Sequence, residues 1–222
     1  MFYATSVIFG TGVKGGLKIR TLKLKLIFFY FGIKRGIKNQ VGHDRFPVIM
    51  MRFKEQYDEI DARIEKEKGI MAFHRVFLII GLTLYKALQD EFQDQGTLID
   101  KVHDILCDGY MFTQIRFSAF FIRRSRDPFR RFLQVLGPNN EWFFPCPPWE
   151  KVSVEIQNGI GWHQIKCPMV DFFAREGVVE LTRAYCDMDK RTAGLLPNHI
   201  ELRRENAMCK GDDYCDFLYY RK

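Results

Sequence analysis

The N-terminal part of the chain carries apolar residues at helical spacing. Apolar side chains recur three or four positions apart from Phe53 to Ile64, which predicts an amphipathic helix that ends near Gly69. Residues 70–89 are apolar almost all round, as expected of a central core helix. Three more helices are predicted over residues 97–106, 110–122 and 128–137, the last of them ended by its terminal glycine.

The pattern changes after residues 137–150, a segment rich in proline and aromatic residues that is predicted to be a loop. Residues 151–157 and 160–167 then alternate between apolar and polar side chains. Asn158 and Gly159 lie between them and favour a tight turn, so this region predicts a β-hairpin.

A helix and a second hairpin follow. The helix is predicted to begin at Pro168, to break near Gly177 and to end before Pro197. Ile200 and Leu202 alternate with Glu201 and Arg203, a Lys-Gly-Asp-Asp turn follows, and residues 214–220 are predicted to be the closing strand. This order of elements predicts an α+β fold, an antiparallel sheet of two hairpins with a layer of helices.

Charge is distributed unevenly along the chain. The net charge is +7, yet residues 1–54 hold eleven Lys or Arg and a single acidic residue, so the remainder is slightly acidic. We therefore predict a basic accessory extension over residues 1–49 and one domain over 50–222. Within that domain we expect a helical part over 50–136 and a hairpin-helix-hairpin part over 150–222.

The same distribution restricts the partners. Because the globular part is not basic, we predict no nucleic-acid partner. No run of apolar residues has a signal-peptide pattern or is placed as a transmembrane helix, so we expect a cytoplasmic protein. Contact of the basic segment 17–38 with a membrane surface and assembly into a homo-oligomer are the alternatives for its partners.

Six cysteines are present, and four of them, Cys167, Cys186, Cys209 and Cys215, lie in the last 56 residues. With no export signal the thiols are expected to be reduced. Cys167 precedes a helix N-terminus, which would lower its pKa and make it a nucleophile. A buried, unreactive thiol or a metal ligand are the other interpretations. His163 would lie about 13 Å away along a regular strand, too far to act as its base.

The C-terminal residues resemble a known family. The features are a strand that ends at Cys167 and leads into a helix, Cys186-x-x-Asp189, a Gly211-Asp212 turn and Cys215-Asp216-Phe217. This order is similar to the L-2-amino-thiazoline-4-carboxylic acid hydrolase family and, more distantly, to ligand-binding domains named after 4-vinyl reductase. The family usually has Thr where this chain has Ala207.

The resemblance implies a hydrolase that opens a cyclic C–N bond in a small aminothiazoline-carboxylate-like substrate. The catalytic residues it implies are Cys167, Cys186, Asp189, Asp212 and Cys215. The substrate carboxylate needs a cation, for which the candidates are Lys166, Arg191, Arg203 and Arg204.

Alternatives remain for these residues. The late cysteines with Asp189 are a candidate structural zinc site. In that interpretation the chain is a small-molecule-binding domain without enzymatic activity, and zinc is the candidate cofactor. A disulfide between Cys209 and Cys215 would also fit across the turn, and Asp212 is also suited to a purely structural turn.

Overall fold

The computed structural model describes residues 15–108 and 110–222, with side chains described over 30–108, 116–137 and 140–222. Residues 1–14 of the predicted extension, and the side chains of the first part of the predicted membrane-contact segment, lie outside this description. Contacts divide the chain at residue 112/113 into two compact units, which are taken in turn.

Helix α1 (Gly15–Arg63) belongs to the N-terminal unit and is kinked. Gly42 interrupts it with a left-handed φ of 79°, a conformation that glycine adopts without steric cost. The helix continues past Pro47, so the predicted division between residues 49 and 50 falls inside it and stays a prediction. One face of α1 is buried through Ile33, Ile37, Ile49, Phe53 and Ile60.

Helix α2 (Gly69–Leu88) is long and apolar enough, by length and composition alone, to cross a membrane. However, 61% of its apolar window is buried in protein, where it packs against α1 and α3 (Gln95–Cys107). Phe77, Ile79 and Leu82 are at most 1% exposed. These contacts are those of a core helix, as the sequence predicts.

The C-terminal unit contains the sheet. Helix α4 (Tyr110–Arg123) leads into it, followed by α5 (Pro128–Phe143), β1 (Glu150–Val154), β2 (Gly159–Lys166) and α6 (Pro168–Arg175). A 3₁₀ turn (Val179–Leu181) precedes α7 (Thr182–Ala193), β3 (Ile200–Arg203), a second 3₁₀ turn (Met208–Lys210) and β4 (Cys215–Arg221). The strands form an antiparallel sheet in the order β1-β2-β4-β3, so the predicted α+β class is confirmed.

The predicted end of α5 at Gly137 is wrong. The helix continues for six more residues, to Phe143. Phe143 is 3% exposed and contacts the ring of Phe144, which in turn contacts Trp149. Burial of these aromatic side chains outweighs the local preference of glycine and proline to end a helix.

The core of this unit lies between the helices and one face of the sheet. Its members from the helices are Ile122, Phe129, Phe132, Val135 and Leu136, and those from the sheet and its connections are Trp162, Leu196, Ile200 and Tyr219. Trp162 and Tyr219 belong to the two central strands, and their side chains point to the same face of the sheet. In β1, however, Ser153 pairs with Trp162 while Val152 pairs with His163, so the apolar alternation of β1 points away from the helices and Val152 is 52% exposed. The period-2 pattern therefore predicts the strands but not the face that each of them buries.

Candidate active site

A cavity of about 60 Å³ lies on the helix-facing side of the sheet. Aromatic side chains from α5, β2 and β4 form much of its wall, among them Phe143, Trp162 and Phe217. The polar groups on the remaining wall are contributed by α6, α7, the start of β4 and the connection after β3. They include Cys167, Thr182, Cys186, Asp189, Arg204 and Cys215. The volume is that of a site for a compact small molecule.

Strand alternation decides which residues of β4 reach this cavity. Cys215 and Phe217 line it, whereas Asp216 between them does not. On the neighbouring strand Gln164 pairs with Cys215 and lines the cavity, while His163 pairs with Asp216. His163 contacts Asp216 at 3.2 Å and is absent from the cavity wall, so it is no base for this site.

Cys215 has the environment of a thiolate. It is 3% exposed, and its sulfur accepts a hydrogen bond from the backbone N–H of Met208 at 3.2 Å. A hydrogen bond with Cys186 is the main cause that lowers the pKa of Cys215, to about 6, with further contributions from the Met208 N–H and from Arg204. Most molecules are therefore ionised at Cys215 at neutral pH.

Cys186 is the protonated member of the group. Its hydrogen bonds to Cys209 and Cys215, with burial, raise its pKa well above its ordinary value. The hydrogen bond from Cys186 lowers the pKa of Cys209, which belongs to the second 3₁₀ turn and lies outside the cavity wall. Cys186 on α7 is therefore the proton donor for two thiols on two other elements, Cys209 and Cys215.

Arg204 is held by a buried ion pair. Its side chain is 4% exposed and donates to Asp189 at 2.9 Å and to the backbone carbonyl of Cys186 at 3.0 Å. Its guanidinium lies 4.5 Å from the centroid of the Phe217 ring. Although burial opposes it, the negative charges of Asp189 and of the Cys215 thiolate raise the pKa of Arg204, so it stays charged.

Two polar atoms at this wall are buried without a hydrogen-bond partner among the described residues, Arg204 Nε and Thr182 Oγ1. A buried donor without a partner is costly, and the two residues both line the cavity. They are therefore suited to meet a polar ligand there.

Cys167 differs from the expectation of a helix-activated thiolate. It lies at the N-cap of α6, and the N–H groups of Val170 and Met169 act to lower its pKa. Burial outweighs them and raises the pKa of Cys167 to about 11, with additional repulsion from Cys215 and Asp189. Desolvation of the thiolate in an apolar environment dominates over the helix terminus.

Two carboxylates hold the connection between β3 and β4. Asp212 accepts from the backbone N–H of Ala207 at 2.7 Å and lies outside the cavity wall. Asp216 accepts from the backbone and side-chain N–H groups of Asn206 at 2.9 and 2.8 Å. These bonds order the segment that carries both Arg204 and Cys209.

The residues of this unit do not fit the zinc interpretation. Within the described residues, no group of three or more His, Cys, Asp or Glu is arranged to hold a metal ion. Arg204 also places a fixed positive charge beside Cys186 and Cys215, where a cation would be repelled. Cys209 and Cys215 are free thiols, so the alternative of a disulfide between them is not formed.

Four of the five predicted catalytic residues, Cys167, Cys186, Asp189 and Cys215, line the same cavity, and Asp212 does not. The sequence did not single out Arg204 among four cations, and it assigned Cys209 only to zinc or a disulfide. One signal for Cys209 was present, because residues that flank a hairpin connection approach each other across it. Nothing comparable distinguishes Arg204 from Arg203, because the irregular segment after β3 breaks the alternation.

A protein-family model described as L-2-amino-thiazoline-4-carboxylic acid hydrolase matches residues 51–219 of the chain. The match includes every residue of the cavity wall named above. No curated protein and no solved structure matches the chain.

Proposed function

The chain belongs to the L-2-amino-thiazoline-4-carboxylic acid hydrolase family, and from this premise we propose that it opens a C–N bond in a small aminothiazoline-carboxylate-like ring. The observation that carries the proposal is Cys215, an ionisable thiol beside the buried Arg204 on the wall of a small cavity. The family supports hydrolysis in general, and the cavity supports a compact substrate.

The chemistry requires a nucleophile and a proton donor. The ring carbon between nitrogen and sulfur is electrophilic, and protonation of the ring nitrogen makes it more so. The Cys215 thiolate attacks this carbon and forms a C–S bond. The ring C–N bond then breaks while the nitrogen takes a proton from Cys186, whose pKa is raised by its hydrogen bonds to the neighbouring thiols.

Water completes the reaction. It attacks the same carbon and gives a proton back to Cys186, and the bond to Cys215 breaks to return the thiolate, so that one water is added and the ring is opened. Arg204 stabilises the negative charge of Cys215 before attack and after release. Asp189 acts through Arg204, because its carboxylate holds the guanidinium at 2.9 Å.

The substrate carboxylate is assigned to the two unpartnered donors. Arg204 Nε and Thr182 Oγ1 are buried without partners among the described residues, and a carboxylate accepts from both types of group. Binding would satisfy two donors that are costly to leave buried, which favours an anionic ligand over a neutral one of equal size.

The test is turnover of 2-amino-thiazoline-4-carboxylate by the full chain and by two matched variants. Cys215→Ser is expected to lower kcat more than roughly a hundredfold. Cys167→Ser, the same substitution on the same cavity wall, is expected to retain turnover. The opposite result would show that Cys167 is the nucleophile. A wild-type chain without turnover would show that this compound is not the substrate.

Product analysis decides which ring bond breaks. Cleavage of the C–N bond yields an amine and no new thiol, whereas cleavage of the C–S bond releases a thiol that a disulfide reagent detects. Thiol release in step with substrate loss would retain the hydrolase and overturn the C–N assignment.

A further inference from the structure

The three thiols near Arg204 form a continuous series from the cavity to the outside. Cys215 is buried and lines the cavity. Cys186 also lines the cavity and hydrogen-bonds both other cysteines. Cys209 is partly exposed and does not belong to the cavity wall. An oxidising equivalent formed at Cys215 can therefore be passed outward, first by condensation with Cys186 and then by one thiol–disulfide exchange with Cys209.

The charges around the three thiols assign their roles. Arg204 and the Met208 N–H favour the ionised form of Cys215, while Cys186 is kept protonated by its two sulfur neighbours. Asp189 and Asp187 are the carboxylates that act on the group, the first mainly through its ion pair with Arg204. A thiolate beside a protonated thiol is the arrangement of an attacking and a resolving cysteine.

We propose that Cys215, Cys186 and Cys209 form a thiol relay that reduces hydrogen peroxide in the cavity and is regenerated by a small thiol at the surface. The proposal does not depend on hydrolysis, because it requires neither the carboxylate-binding donors nor an electrophilic ring.

Each step balances. The Cys215 thiolate attacks one oxygen of hydrogen peroxide, the O–O bond breaks, and protonation of the leaving oxygen gives water and a sulfenic acid on Cys215. Cys186 attacks that sulfur and expels the second oxygen as water, which leaves a Cys186–Cys215 disulfide. Cys209 attacks Cys186 and releases the Cys215 thiolate. Two molecules of external thiol then reduce the Cys186–Cys209 disulfide and leave as their own disulfide.

The dimensions of the cavity restrict the oxidant. Its volume of about 60 Å³ admits hydrogen peroxide, whereas a bulky organic hydroperoxide meets the aromatic wall formed by Phe143, Trp162 and Phe217. The relay is accordingly expected to prefer hydrogen peroxide over cumene hydroperoxide by at least about tenfold in second-order rate constant, a preference set by steric exclusion.

The first experiment measures hydrogen peroxide consumption by the full chain with dithiothreitol as the external thiol. Cys215→Ser is expected to reduce the protein-dependent rate at least about tenfold, because the attacking thiolate is lost. Cys146→Ser is the matched control, since Cys146 is an exposed thiol outside the cavity wall, and it is expected to retain the wild-type rate. Equal rates in wild type and Cys215→Ser would overturn the proposal.

The second experiment follows the intermediates and does not rely on a variant of Cys215. Dimedone, which labels sulfenic acids, is expected to label Cys215 in Cys186→Ser, where no resolving thiol remains. In Cys209→Ser the Cys186–Cys215 disulfide is expected to accumulate and to be reduced more slowly than the wild-type disulfide. Dimedone label confined to Cys146, or no disulfide that involves Cys186, would also overturn the relay.

Hydrolysis and peroxide consumption are measured separately on the wild-type chain, so the two proposals fail independently. A chain that opens the ring but consumes no peroxide retains the hydrolase alone. A chain that consumes peroxide through Cys215 without opening the ring retains the relay alone.

Discussion

Replacement of Arg204 with Gln is expected to raise the pKa of Cys215. The guanidinium lowers that pKa both by its charge and by a hydrogen bond, and Gln keeps a polar side chain without the charge. The change also removes the ion pair between Arg204 and Asp189, and the negative charge of Asp189 disfavours a second anion nearby. Both effects act in the same direction.

The magnitude follows from the present environment. The pKa of Cys215 is lowered from 9.0 to about 6, so the thiolate is largely present above pH 6 and is lost as pH falls through that value. An opposite charge in contact shifts a pKa by about 1–3 units, which moves the midpoint of Arg204→Gln to about 7 or higher. At pH 6 the ionised fraction then falls from about one half to about one tenth or less.

Alkylation by iodoacetamide reports this fraction. Trypsin cleaves after Lys210 and Arg221, so peptide 211–221 carries Cys215 as its single cysteine and its modification is read by mass spectrometry. The alkylation rate of this peptide at pH 6 is expected to fall about fivefold or more in Arg204→Gln, in proportion to the thiolate.

The matched control is Arg203→Gln, the adjacent arginine. The side chain of Arg203 is 53% exposed and pairs with Glu201, away from the cavity wall. Its removal is expected to leave the midpoint of Cys215 near 6. An unchanged midpoint in folded Arg204→Gln, or an equal shift in both variants, would refute the role given to Arg204.

Three further predictions concern stability, each measured by urea denaturation. A Cβ on Gly159 would overlap the Tyr219 carbonyl oxygen, so Gly159→Ala is expected to destabilise the protein. A Cβ on Gly137 would have no neighbouring atom within 4 Å, so Gly137→Ala is expected to stabilise α5 by about 0.5–1 kcal/mol. A more stable Gly159→Ala than Gly137→Ala would contradict both descriptions of the packing. Asp216→Ala leaves the donors of the β3–β4 connection unpaired and costs about 1.5–3 kcal/mol, and a neutral result would deny it that role. Phe132→Ala removes a fully buried ring and is expected to lower the free energy of unfolding by about 3–5 kcal/mol. A loss below about 1 kcal/mol would place Phe132 outside the core.

The fold class could be predicted because the order of strand-like and helix-like segments is visible in the sequence. The buried face of the sheet could not, because Val152 and Val154 pair with His163 and Gly161 and lie on the face opposite to Trp162. Gly137 shows where such local rules fail. The end of α5 depends on aromatic contacts with residues that follow it, which a local pattern does not contain.

The cavity could be predicted as a set of residues but not as a set of roles. The order of Cys167, Cys186, Asp189 and Cys215 indicated one site, and all four line the cavity. Their protonation states could not be predicted, because they depend on which group is desolvated and which is hydrogen-bonded. Cys167 and Cys215 each have backbone N–H donors, yet burial raises the pKa of the first while the hydrogen bond with Cys186 and the charge of Arg204 lower that of the second.

The alternation of β4 has a consequence for how the gene can vary in length. Cys215 and Asp216 are neighbours in sequence but occupy opposite faces of the sheet, the first on the cavity and the second under the β3–β4 connection. One codon added or deleted within the strand would exchange them, placing a carboxylate in the cavity and a thiol beneath the connection. Insertions at the exposed residues 211–213 leave this register intact, so relatives are expected to differ in length there and not within β4.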